Sequence, residues 1–267
     1  MNKILLFIPM YNCEKQIIRV LKQIDADVLD FIDEILIVNN RSTDEGEKAV
    51  IDFASSNKHI PIRLYRNREN YGGGGSHKVA FNYAIDNGFD YVIVLHGDDQ
   101  GNIHDILPYL KSGEAFHYDS FLGSRFDKES KLVNYSRLRI FGNRVFNVFM
   151  TLCLKQKITD LGSGLNMYKV DYLASRFYMP FINNLTFYVY MLIYGVISKS
   201  NFRFFPLTWR EDDQISNAKF FKQARQILAI TLRCVLNTNT ILAADNELSK
   251  IAYESEQVYE NIEEFKS

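Results

Sequence analysis

The residues best placed to do chemistry lie in Tyr91–Asp105, YVIVLHGDDQGNIHD, where an apolar run gives way to His96-Gly97-Asp98-Asp99-Gln100. A short run rich in β-branched residues predicts a strand buried on both faces. Ligands of open α/β sheets lie beyond the carboxyl ends of such strands. A histidine, two carboxylates and an amide there suit a divalent cation and phosphate groups. The plainer reading is a polar loop in which Asp98 or Asp99 caps the next helix. Three other stretches offer similar groups: Pro9-Met10-Tyr11-Asn12, Asn39-Asn40-Arg41, and the Gly72–Gly75 turn with Lys78. An aromatic and amides suit a nucleobase, glycines permit close backbone approach, and a carboxylate can hold a cation on a diphosphate. A dinucleotide fold would need G-x-G-x-x-G after the first strand, and a P-loop would need G-x-x-x-x-G-K-[ST]; neither spacing occurs.

The elements that must carry these residues can be read from periodicity. Lys3–Ile8, Glu34–Val38, Ile62–Tyr65 and Tyr91–Leu95 read as strands. Between them lie a helix bearing Ile17, Leu21 and Ile24, one that starts at Ser42-Thr43-Asp44-Glu45, and one after the glycine turn. This alternation predicts an α/β fold with a parallel sheet and right-handed crossovers. Beyond it, Ser120–Gly123 and Phe202–Leu207 read as strands, and Leu138–Leu154 and Leu185–Ser198 as helices. Ser216–Leu236 is amphipathic: Phe221, Ala224, Leu228, Leu232 and Val235 share one side, and Lys219, Lys222, Arg225 and Arg233 the other. Such a face is either solvated or a dock for anionic lipid headgroups. The acidic tail carries Leu248, Ile251, Val258, Ile262 and Phe265 on a heptad-like stripe, which predicts a helix packed back on the domain or on a second subunit.

With 267 residues and 31 Lys plus Arg against 32 Asp plus Glu, the chain can bury a large core, and nothing in its charge calls for nucleic acid. Cys13, Cys153 and Cys234 form no metal or disulfide spacing, which fits a reducing compartment. The opening MNKILLFIPMYN is broken at Pro9 and reads as a first strand rather than a leader. Phe187–Ser198 is too short to span a bilayer, so a soluble or peripheral protein is expected.

Seven segments in order resemble family 2 glycosyltransferases with the GT-A (nucleotide-diphospho-sugar transferase) fold, nearest to the dolichyl- or polyprenyl-phosphate sugar transferases. Pro9, Tyr11 and Asn12 match P-x-Y-N. Val38–Asp44 echoes V-D-D-G-S-T-D, and Asn70, Gly72, Gly74, Ser76 and Lys78 echo N-x-G-x-G-x-A-x-R. His96–Gln100 falls on D-A-D-L-Q, Gly123–Phe126 on G-S-R-Y, and Asp160–Gly164 on D-x-x-S-G-F. Leu207–Arg210 with Ser216–Lys219 resembles F-x-x-R…S-K. Asn39 and Asn40 stand where that family has aspartates, and His96 stands at the first aspartate of its metal motif.

The resemblance implies a mostly parallel sheet flanked by helices, with C-terminal helices. Residues 1–237 would form the catalytic domain, comprising a nucleotide-sugar half (1–115) and an acceptor half (116–237), and 238–267 an acidic helical tail. It implies inverting transfer from a nucleotide diphosphate sugar with Mn2+ or Mg2+. The acceptor would be a polyprenyl phosphate at the inner face of the cell membrane or, alternatively, a saccharide hydroxyl; an impaired member that only binds nucleotide sugar is a third reading. Such an enzyme would be cytoplasmic, with peripheral membrane contact and pairing into a homodimer both compatible. Asp98, Gln100 and His96 are the candidate metal ligands. Pro9, Tyr11, Asn12, Asn39, Asn40, Lys78, Gly97 and Asp98 are the candidates for the donor. Lys78 and Arg210 would face the leaving phosphates, and Arg125, Arg137 and Arg139 an acceptor phosphate. A hydroxyl acceptor would need a base such as Asp160, Glu211 or Asp212, whereas a phosphate is already ionised.

Overall fold

The computed structural model describes residues 2–213, 220–236 and 246–262. Its strands are β1 (Ile4–Met10), β2 (Glu34–Asn39), β3 (Ile62–Asn67), β4 (Tyr91–Leu95), β5 (Ser120–Ser124), β6 (Lys131–Val133), β7 (Leu165–Lys169), β8 (Phe202–Pro206), β9 (Thr208–Arg210) and β10 (Ser255–Glu260). The helices are α1 (Glu14–Leu21), α2 (Ala26–Leu29), α3 (Gly46–Ser56), α4 (Gly72–Asp86), α5 (Leu107–Lys111), α6 (Arg137–Leu154), α7 (Val170–Leu173), α8 (Phe187–Ile197), α9 (Phe220–Leu236) and α10 (Asn246–Ser249).

Eight strands form one sheet in the order β10-β3-β2-β1-β4-β7-β5-β8, and β6 pairs with β9 beside it. The pairings β1–β2, β2–β3 and β1–β4 are parallel, so four carboxyl ends open on one edge. Period-two alternation divides each strand between two layers. Leu6, Ile8, Ile35, Ile37 and Ile93 face Ile17, Val20, Val50 and Ala54 of α1 and α3. Leu5, Phe7, Leu36, Val38 and Val94 face Val79 and Phe81 of α4 and Phe187 and Met191 of α8. A third cluster joins α6, α8 and α9 through Met150, Val189, Ile193 and Ile230.

The predicted α/β sheet is present, with two differences from the sequence reading. First, Leu165–Lys169 had no assignment, yet it forms β7, inserted antiparallel between β4 and β5. The sheet therefore runs unbroken across the boundary drawn at 115/116, which falls within the short 3-10 turn Glu114–His117. Second, the tail is not helical over Ser255–Glu260, which adds to β3 as an antiparallel edge strand. The physical reason is complementarity. β3 otherwise presents an unpaired edge, and its Arg63 and Arg66 take Glu260 and Glu256 at 2.8 and 3.1 Å. Val258 and Tyr259, one of them on the predicted heptad stripe, pack on the core as strand residues. The boundary at 237/238, the Ser216–Lys219 motif and the side chains of Phe221, Lys222 and Ala224 lie outside the described residues.

Candidate active site

The loops that leave β1, β2 and β4 are tied to one another. Asn40 N donates to Met10 O (2.9 Å), and Gly97 N donates to Pro9 O (3.2 Å). A Cβ at Gly97 would lie 2.8 Å from Pro9 O, so only glycine lets β4 end against β1. Asn12, at φ 49°, accepts at Oδ1 from Thr43 N at 2.8 Å, and its own N donates to Ser42 Oγ at 3.0 Å. Tyr11 beside it is 45% exposed, an aromatic face open to the crevice edge.

Several expected donor contacts are used by the fold instead. The Asn40 carbonyl accepts from both Asn67 Nδ2 and Tyr71 N at 2.9 Å, and its amide donates to Asn70 Oδ1 at 2.8 Å. Both lone pairs of the Asn40 carbonyl oxygen, a candidate for the donor, are thus engaged within the protein. Asn39 accepts from Ser42 N (2.9 Å) and donates to Glu47 (2.8 Å), keeping one donor and one acceptor position. The glycine turn approaches protein rather than phosphate: Gly74 N donates to Asn183 O at 2.8 Å, and a Cβ there would meet Ile182 O at 2.7 Å. Lys78 follows the same pattern. It is fully buried, donating to Asn183 Oδ1 and Tyr253 OH at 2.8 Å and to Phe181 O. This corrects its assignment to the leaving diphosphate. Lys78→Met is expected to lose about 2–3 kcal/mol of stability by stranding these acceptors, with donor KM unchanged; denaturant melts and donor saturation curves check both halves.

At the end of β4 the four polar residues divide their work. Asp99, at φ 60° and 2% exposed, accepts from Arg19 Nε (2.6 Å), Gln23 Nε2 (3.0 Å) and Arg210 Nη2, while its carbonyl accepts from Arg210 Nε (2.8 Å). It is the fastener that holds the loop to α1 and β9. Gln100 is tied through its backbone: its N donates to Asp98 Oδ1 (3.3 Å) and its O accepts from Arg210 N (3.0 Å). Burial pushes the Asp98 carboxyl up to about 6, with Asp99 adding to the rise.

His96 is drawn inward. Gly73 O can only accept, so His77 Nδ1 carries the proton of their 2.7 Å bond and His77 Nε2 is bare. Tyr188 OH then donates to His77 Nε2 and accepts from His96 Nε2–H at 2.6 Å. Burial lowers His77 to about 3 and His96 to about 4, the latter assisted by the charge of Arg125, so both rings are neutral at pH 7. His96 Nε2 is committed to Tyr188, and Nδ1 lies beside Gly164. His96 is thus joined through Nε2 to Tyr188 and His77 in one hydrogen-bonded chain. Neither Tyr188 nor His77 was expected; no local pattern marks them, because Tyr188 lies in an apolar helix and meets the others only in three dimensions.

Among the described residues no group of three or more His, Cys, Asp and Glu side chains gathers to enclose an ion. A cation held by one carboxylate together with substrate phosphate oxygens needs no such cage. Asp98 fits that role, since a neighbouring cation would remove the burial penalty on its charged form.

The acceptor-side residues form ion pairs. Arg125 Nε and Nη2 bind both oxygens of Asp160 at 2.8 and 2.7 Å, Arg125 N adds a third bond at 2.8 Å, and Gly162 O accepts at 2.9 Å. Burial opposes the guanidinium charge, but Asp160 outweighs it and holds Arg125 more firmly protonated than usual. The Trp209 ring lies 5.2 Å from the guanidinium carbon. Arg139 pairs with Glu211, Asn134 donates to Asp212 (2.9 Å), and Arg137 is exposed on the first turn of α6. Arg125 and Arg139 are therefore engaged by carboxylates, and of the three expected acceptor-phosphate arginines only Arg137 faces solvent. Arg19, which sequence reading passed over, joins Asp99 to Asp213 (2.7 Å).

Residues 6–177 match the family model of Glycosyl transferase family 2. An uncharacterized protein of Methanocaldococcus jannaschii is 33% identical over 119 residues, 44% of this chain and 50% of that protein, so the match spans about half the length of that relative. Among solved structures, glucosyl-3-phosphoglycerate synthase from Mycobacterium tuberculosis in complex with uridine diphosphate aligns with a TM-score of 0.63 at 16% identity, covering 96% of this chain and 87% of that one. The same synthase with Mn2+, uridine diphosphate and phosphoglyceric acid aligns at 0.63 and 16%, covering 88% and 79%. These likenesses establish the fold.

Proposed function

The chain belongs to glycosyl transferase family 2, and from that premise we propose that it moves a sugar, with inversion, from a nucleoside diphosphate sugar to a polyprenyl-phosphate-type acceptor at a membrane surface. Support for the donor is the edge where β1, β2 and β4 end, with Tyr11 exposed for a base and Asp98 half-buried where a cation would meet a diphosphate. Asp98 is the residue that would hold Mn2+ or Mg2+, and the solved relatives are described with either ion and uridine diphosphate. Such a cation supplies charge neutralisation to the departing diphosphate. Arg210 and Arg19, anchored on Asp99 next to Asp98, set a positive rim beside it.

The observation that carries the acceptor reading is the engagement of Asp160 and Glu211 by Arg125 and Arg139. Asp160, bound bidentately by its guanidinium, and Glu211, paired through one oxygen, are both poor bases, whereas a phosphate acceptor needs none. A second reading, transfer to a hydroxyl of a soluble acceptor, draws on the likeness to a synthase described with phosphoglyceric acid.

Incubation with labelled nucleotide sugars, Mn2+ and a polyprenyl phosphate, followed by solvent extraction, tests the proposal. Label entering the organic phase is the expected result. Label confined to the water phase with a soluble acceptor would overturn the lipid reading, and no turnover with any donor would leave only nucleotide-sugar binding.

A further inference from the structure

Among the described residues, the outer face of α6 lies open to solvent. Leu138, Phe141, Val145, Val148 and Leu152 recur at alternating intervals of three and four, and their exposure ranges from 51% (Val145) to 75% (Leu138). The inner face is fully accounted for: Met150 is buried, Asn147 donates to Thr159 O, and Asn143 donates to Tyr135 OH. α9 packs alongside, with Thr231 Oγ1 donating to Met150 Sδ, and it exposes Leu228 and Leu232, 41% and 46%. The charged residues of these two helices have one sign. No acid occurs from Arg137 to Thr159 or within α9, while Arg137, Arg144, Lys155, Lys157, Arg225 and Arg233 are exposed.

We propose that the outer faces of α6 and α9 together seat the protein on an anionic phospholipid bilayer, with both helices lying in the interface. An apolar stripe containing Phe and Leu, on helices that carry cations and no acid, matches the headgroup boundary. The three-four spacing alone would also suit a second copy of this chain. Charge decides between them: a two-fold pairing of α6 sets the arginines of one copy near those of the other, with no acid in either helix to offset them. The helix also begins at the rim of the site, where Arg139 pairs with Glu211, the residue that follows β9. Docking there would bring the acceptor side to the bilayer, a consequence that rests on the proposed reaction; the docking itself does not.

Flotation of the full chain with phosphatidylcholine vesicles containing about one-third phosphatidylglycerol, and with phosphatidylcholine alone, tests this. Binding is expected to the anionic vesicles, weakening with salt, and to fall about ten-fold or more in a Phe141→Ser, Val148→Ser, Leu152→Ser variant whose circular dichroism and melting match the wild type. No flotation with anionic vesicles, or flotation equal in the variant, would overturn the proposal. So would light scattering that shows a dimer dissolved by the same three substitutions. The vesicles hold neither sugar donor nor polyprenyl phosphate, so failure here is distinct from failure of the proposed reaction.

Discussion

Replacing Asp98 with asparagine is expected to cut turnover by at least about 10²-fold and, in the same molecule, to make the metal-free protein more stable. The two effects share one cause. Burial raises the Asp98 carboxyl from 3.8 to about 6, which corresponds to about 3 kcal/mol against the charged form. The sign follows from linkage. A carboxyl whose folded value lies above its unfolded value favours folding at low pH, and that contribution is lost as pH rises through about 6. Near pH 8 in a chelator, wild type should therefore be less stable than the variant by up to about 3 kcal/mol, and the two should converge toward pH 4. Denaturant melts across that range read the stability, and donor turnover with Mn2+ reads the activity. A variant that loses activity through misfolding would show the opposite stability change.

Asp160→Asn is expected to be among the most damaging single substitutions in the protein, at about 3–5 kcal/mol, because it leaves the Arg125 guanidinium buried without its counter-charge. The side chains are 13% and 1% exposed, so water cannot take the place of the missing carboxylate. Arg125→Met with Asp160→Leu removes both charges and should recover most of the loss, since an apolar pair of similar volume avoids the desolvation cost. The cycle of single and double variants gives the coupling directly. The result also separates roles. A general base at Asp160 would lose kcat with melting unchanged, whereas the pairing in the structure predicts that stability falls first and that the double variant retains its fold.

Where the sequence was legible, the signal was local. Tyr91–Leu95 announces a strand buried on both faces and the polar residues after it announce a strand-end site; β4 and Asp98 stand there. Asp99 as a structural residue was also readable, although its partners Arg19 and Arg210 were not. Lys78 shows why legibility ends. A glycine turn followed by a lysine reads as a phosphate cradle, but the groups that claim the lysine, Phe181, Asn183 and Tyr253, lie 103 to 175 residues away. His96 is the same case, since its orientation is set by Tyr188, 92 residues on. The tail failed for another reason. Its apolar spacing fits a helix as well as a strand, and only the free edge of β3 with Arg63 and Arg66 decides in favour of β10. For α6 the sequence shows only a helix over Leu138–Leu154; that one face of it stays open is known only from the exposure of Leu138, Phe141, Val145, Val148 and Leu152.

The central claim is that Asp98 joins a divalent cation to the diphosphate of a sugar donor. Calorimetric titration of a nucleoside diphosphate into wild type and Asp98→Asn, with and without Mn2+, tests it most directly. The account predicts that Mn2+ tightens binding to wild type about ten-fold or more and leaves binding to the variant unchanged. Equal affinity with and without the cation in wild type, or an undiminished Mn2+ effect in Asp98→Asn, would contradict it.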